Sequence, residues 1–117
     1  MAAECRLDRI IEERTARRLE EAQRRTATIM AALAAEGVDA AVIGSLAKGT
    51  FRAHSDIDIL VRSPVDPALR LKVERIAANA LRDAGIPYDL IYASDLTPAQ
   101  LEEFENDLVE TRDIRQA

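Results

Sequence analysis

Two aspartates one residue apart, Asp56 and Asp58, lie in a stretch that alternates polar and apolar residues from Ser55 to Val61. β-Branched Ile57, Ile59 and Val61 fill the apolar positions, which is the period of a strand. Successive strand side chains point to opposite faces, so both carboxylates project together while the three apolar side chains turn toward a core. Side-by-side carboxylates repel and Asp is a poor strand former, so the pair costs stability unless a cation neutralises it. Mg²⁺ suits the pair: this hard ion takes one or two carboxylates and completes its shell with water and phosphate oxygens, whereas an all-protein Ca²⁺ cage needs more ligands. Upstream, the apolar run Ala41-Val42-Ile43 ends in Gly44-Ser45. Gly lets backbone N–H groups approach a phosphate closely, Ser adds a hydroxyl donor, and a helix starting just after would add the positive end of its dipole. The chemistry indicated is metal-assisted work on a phosphate ester.

Gly44 and Gly49 match the first half of a P-loop, but Thr50 and Phe51 stand where that motif needs Lys and then Ser or Thr. What the residues do resemble is the polymerase-β-type nucleotidyltransferase superfamily: Gly44-Ser45, a spacer from Leu46 to Ser55, then Asp56-x-Asp58. The whole phrase from Gly44 to Val61 is similar to the minimal (MNT) branch of that superfamily, and the likeness covers roughly residues 38 to 95.

The resemblance implies transfer of a nucleoside monophosphate by in-line attack on the α-phosphate of a triphosphate, with positioning and charge neutralisation as the catalytic needs. Two Mg²⁺ ions about 3.5 to 4 Å apart can clamp the attacking and leaving oxygens. Such a pair usually needs a third carboxylate. Asp89 is the candidate, isolated among apolar residues on the expected third strand, where an unpaired Asp would be costly; the family's third acidic residue falls at the corresponding place. The ordinary alternative is an edge-strand or turn Asp. Asp56, Asp58 and Asp89 are thus the expected catalytic and metal-binding residues, and Asp89 is placed to accept a proton from an attacking hydroxyl. Gly44 and Ser45 are expected to hold the β- and γ-phosphates. Lys48 and Arg52 are candidates for the triphosphate, the everyday alternative being solvated loop cations. His54, the only histidine, cannot make a histidine metal site alone and is given no role. Asp39 and Asp66 read as turn residues.

Minimal nucleotidyltransferases of this size are often antitoxins paired with a helical HEPN ribonuclease toxin, and some transfer AMP from ATP to a tyrosine of that toxin. The resemblance implies the same here, with the N-terminal helix as a docking surface. Two rival classes remain open: an inactive binding module that neutralises its partner or pairs with itself, and a transferase acting on an aminoglycoside-like hydroxyl.

Among the elements that must position these residues, 117 residues suffice for one domain with a modest core but not for a second, substrate-binding one. A net charge of −5 and few aromatic residues offer neither the basic surface nor the stacking rings of bulk nucleic-acid binding. No apolar run approaches the ~20 residues of a membrane span and nothing resembles a signal peptide, so a cytoplasmic location is expected. Cys5 is the only cysteine, which excludes an internal disulfide and a thiolate metal site.

Residues 4 to 36 read as one helix, rich in Ala, Glu, Arg and Leu and ended by Gly37. Glu13 with Arg17, Glu20 with Arg24 and Glu21 with Arg25 are its i,i+4 pairs. Thr15, Leu19, Ala22, Thr26, Ile29 and Leu33 form a buried stripe, while the first half offers only Leu7, Ile10 and Ile11. That half outreaches so small a domain and is available to another subunit or a partner, or is a solvated end. A short helical turn is expected over 46–51 and a second helix over 67–84, opened by Pro67 and closed by a left-handed Gly85. A strand is expected over 87–92 and a last helix over 97–115, capped from Asp95 to Thr97, with Leu101, Phe104 and Leu108 inward. The expected architecture is α/β, a small mixed sheet flanked by helices, with a catalytic core over 38–95.

Overall fold

The computed structural model of the chain describes residues 2–52 and 54–106, with side chains from Leu7 onward. The elements run α1 (Ala2–Ala35), β1 (Ala40–Ile43), α2 (Gly44–Lys48), β2 (Ile57–Val61), α3 (Pro67–Ala80), β3 (Tyr88–Tyr92) and a single 3₁₀ turn at Ala93–Asp95. A further helix, α4, occupies 98–106. Its expected continuation to 115, including Leu108, lies outside the described residues.

The three strands form one mixed α/β sheet in the order β1-β2-β3, antiparallel between β1 and β2 and parallel between β2 and β3. A parallel pair needs a long crossover, and α3 supplies it. β2 is therefore central. Its Ile57, Ile59 and Val61 are fully buried, as their alternation predicts, and they pack with Ala22, Ile29 and Leu33 of α1 and Val73 and Ala77 of α3. Leu60 is also fully buried although it faces the other way, so beyond Asp58 the strand is covered on both sides.

The α1 stripe behaves as its spacing predicts from Leu19 onward: Ala22, Thr26, Ile29 and Leu33 are all buried. Every side chain from Leu7 to Arg14 is exposed, Leu7 and Ile11 by more than half. A 34-residue helix is about 50 Å long at 1.5 Å per residue, nearly the molecule's longest dimension of 56 Å. Arg24 turns to Glu21 rather than to Glu20, and Glu21 also holds Arg25.

Two helix boundaries differ from the sequence reading. α2 begins at Gly44 itself rather than at Leu46. α3 stops at Ala80 instead of 84, and Asp83 as well as Gly85 takes a left-handed φ in the connection to β3. The early stop is stabilised from outside: Arg25 Nη1 donates to the Ala80 carbonyl at 3.0 Å and the Arg82 carbonyl at 2.8 Å, satisfying acceptors that a helix C-terminus leaves open. Asp66 is not just a turn residue, because its carboxylate accepts from Leu69 N–H at 2.7 Å and caps α3 ahead of Pro67. At α4 the cap is Thr97, whose hydroxyl accepts from Gln100 N–H while the Gln100 side chain accepts from Thr97 N–H. Asp95 pairs with Arg70 instead. Among the described residues no helix is long and apolar enough to cross a membrane.

Candidate active site

The antiparallel register sets Ile43, the last residue of β1, opposite Asp58 on β2. The chain must then turn at once into α2, and it does so through Gly44 at φ +72°, a backbone conformation that side chains disfavour. A second reason for glycine is contact. A Cβ at this position would stand 2.5 Å from Asp58 Oδ2, so the carboxylate rests against the bare Gly44 α-carbon. Ser45 follows in the first turn of α2, half-buried, and no side chain caps the N-terminus of that helix.

On the other side of β2, the parallel register places Asp89 directly beside Asp58. Asp56 lies one residue before β2 begins and is exposed. Asp58's in-register acidic neighbour is thus Asp89, on the adjacent strand, with Asp56 approaching from the strand's entrance. Burial, then the Asp89 charge, then the Asp56 charge push the Asp58 carboxyl above the ordinary carboxylate range. None of the three aspartates forms an ion pair among the described residues. Asp39 is occupied elsewhere: it pairs with Arg62 at 2.8 Å and ties the far ends of β1 and β2 together.

The cationic candidates sit at the other end of α2 and beyond it. Lys48 is exposed in the last turn, before the left-handed Gly49. Arg52 is exposed in a tight turn, where its N–H donates to Ser55 Oγ at 2.8 Å and Ser55 N–H donates to its carbonyl at 3.1 Å. His54, in the same turn, is also exposed.

This donor set fits a hard divalent cation. Two carboxylates share one face of the sheet, a third stands at its edge, and none of them forms an ion pair among the described residues. Among the described residues no three carboxylate, histidine or cysteine side chains are gathered closely enough to chelate an ion alone. An ion that keeps water and phosphate oxygens in its shell does not require such a cage.

One feature carries no local sequence signal. An open cleft of about 560 Å³ runs between α3 and β3, lined by Glu74, Arg75 and Ala78 on the helix and Tyr88, Asp89 and Leu90 on the strand. The helix residues belong to an ordinary solvated face by their spacing, and only the crossover brings them beside Asp89. Farther along β3, the Arg70 guanidinium lies 3.9 Å from the Tyr92 ring centroid and pairs with Asp95 at 3.1 Å.

A family model described as a nucleotidyltransferase domain matches residues 24–114, a span that takes in the glycine corner and all three aspartates. No curated protein and no solved structure gives a significant match.

Proposed function

The chain belongs to the nucleotidyltransferase domain family, and from that premise we propose that it transfers AMP from ATP, with Mg²⁺, to a hydroxyl of a partner protein in the cytoplasm. The observation that carries the proposal is the seating of Asp58: pressed against Gly44 on one side and in register with Asp89 on the other. A phosphate chain lying along the uncapped start of α2 would then meet the carboxylate pair at its α-phosphorus.

In the proposed step the acceptor oxygen attacks the α-phosphorus as the bond to the bridging oxygen breaks. Pyrophosphate leaves with the electron pair. Asp89, exposed at the sheet edge, takes the hydroxyl proton. Gly44 and Ser45 hold the β- and γ-phosphates through backbone N–H groups and the Ser45 hydroxyl, and Lys48 and Arg52 contribute charge toward the same end. Asp56, Asp58 and Asp89 hold the metal, which when bound supplies Lewis-acid neutralisation of the phosphate charge. The chain's own part is to orient the triphosphate between a glycine corner and an acidic sheet face.

The acceptor is proposed as a tyrosine of a helical HEPN-type toxin that the modification silences. Support comes from the likeness of residues 44–61 to minimal nucleotidyltransferases. Intact mass spectrometry of the protein that co-purifies from the native host, with and without Mg²⁺-ATP, tests this. One or more AMP adducts on the partner, lost with Asp56→Asn, are expected; a stable partner that never gains mass overturns transfer and leaves neutralisation by binding.

A further inference from the structure

β3 is an edge strand, since the sheet ends there among the described residues. The register says which of its backbone groups are spent. Ile57 N–H donates to the Pro87 carbonyl at 2.9 Å, and Ile57 is the partner of Tyr88. In a parallel ladder that pattern directs the backbone of 87, 89 and 91 toward β2 and leaves the N–H and C=O of Tyr88 and Leu90 facing outward. No side chain or loop among the described residues takes those groups. Such an edge is a template for another strand, and proteins usually blunt or cover it.

Among the described residues the edge is open next to Asp89. The side chains of β3 divide by face: Asp89 stands with Asp58, while Tyr88 and Leu90 stand with Ile57 and Ile59 on the helical side. The cleft between α3 and β3 flanks that helical side, lined on the helix by Glu74, Arg75 and Ala78. A polypeptide added to β3 would therefore present alternate residues to two environments. The residue beside Asp89 would project onto the acidic face, and its two neighbours would enter the cleft.

We propose that the acceptor is an extended segment of the partner protein, captured as a fourth strand on β3, with its hydroxyl residue beside Asp89 and the flanking side chains in the Glu74–Arg75–Ala78 cleft. This rests on the protein-acceptor reading above and adds how the acceptor is chosen. Main-chain hydrogen bonds hold the segment, and the cleft selects the neighbours of the modified residue by size and polarity. No bond is made or broken beyond the transfer already described.

The probe is a nine-residue peptide centred on the partner residue that the wild-type chain modifies, in three forms: unaltered, N-methylated at the central amide, or N-methylated at the two flanking amides. If the segment lies parallel to β3 its central residue bonds the edge, and if antiparallel its neighbours do. One methylated form, and only one, should raise the KM for transfer about tenfold or more with little change in kcat. Without metal or nucleotide, the unaltered peptide should slow exchange of the Tyr88 and Leu90 amides. Ala78→Trp, on an exposed helix face, should crowd the cleft and raise the acceptor KM more than the KM for ATP. Equal acceptance of all three peptides, or modification of a free tyrosine or aminoglycoside hydroxyl as readily as the peptide, overturns edge capture while protein modification stands. A wild-type chain that modifies nothing overturns both.

Discussion

Asp58→Asn should make the metal-free protein more stable. The strands β2 and β3 lie about 4.8 Å apart, so in-register carboxylates on one face sit roughly 5 to 6 Å from each other. At that distance like charges repel by about 0.7 kcal/mol in water and about 3 kcal/mol at an effective dielectric constant near 20. Asp89 is exposed and Asp58 half-buried, which places the pair toward the lower figure, about 1 kcal/mol. For a domain of this size that corresponds to a rise in Tm of about 4 °C. The sign of the pH dependence follows from Asp58's raised pKa. The folded state binds the proton more tightly than the unfolded chain, so the contribution is stabilising at low pH and is lost as pH rises through the raised value. The advantage of Asp58→Asn should therefore shrink as pH falls toward the ordinary Asp range, where the carboxyl becomes protonated in both states, and grow toward neutrality. Thermal unfolding in EDTA from pH 4 to 8, with the Asp89→Asn variant and the double variant completing a cycle, measures the pair directly. A variant no more stable than wild type at pH 7, or a difference that ignores pH, refutes the account of an uncompensated carboxylate pair. Added Mg²⁺ should reverse the order by raising the wild-type Tm more than that of Asp58→Asn.

Gly44→Ala combines a left-handed φ with a methyl group aimed at Asp58 Oδ2, and about 2 kcal/mol of destabilisation is expected; adding Asp58→Ala should return part of it, as denaturant midpoints would show. Thr26 is buried with a hydroxyl that finds no partner among the described residues, so Thr26→Val should gain about 1 kcal/mol, and a lowered midpoint would mean that the hydroxyl has a partner in solution. Arg25→Ala removes the donor to two carbonyls at the end of α3 and should cost about 1 to 2 kcal/mol, with amide exchange accelerating first between Ala77 and Ala84. Unchanged protection there would show that the helix end is stable without its outside donor.

Local pattern was enough for the three strands, because the apolar run of β1, the alternation of β2 and the apolar residues around Asp89 in β3 are each properties of a few adjacent residues. It was enough for Gly44 and Asp58 as neighbours in one site, since a short spacer joins two antiparallel strands. The end of α3 was not legible: residues 81–84 are ordinary helix formers, and what satisfies the terminal carbonyls is an arginine 55 residues upstream on α1. Nor could alternation alone reveal that Asp89, rather than Asp56, is the in-register companion of Asp58, since register across a crossover depends on how far α3 carries the chain. The pairing of Arg70 with Asp95 under the Tyr92 ring, and the cleft beside Asp89, are likewise products of the crossover. Each is a meeting of distant segments, and single-residue propensities carry no record of it.

β2 spends its five residues on two unrelated duties, with Ile57, Ile59 and Val61 anchoring the interior and Asp58 serving the acidic face. For a lineage drifting under selection this leaves no neutral ground in the strand. A mutational scan would find Ile57 through Val61 uniformly intolerant if growth were scored, yet two classes would separate once cellular abundance was scored as well. Changes at the isoleucines and valine would deplete the protein, whereas, on the proposed role of Asp58, changes there would accumulate a well-folded chain unable to transfer. Under the proposed mechanism, loss of chemistry is thus the easier path of decay for this fold, because a change at Asp58 that silences transfer also relieves the sheet.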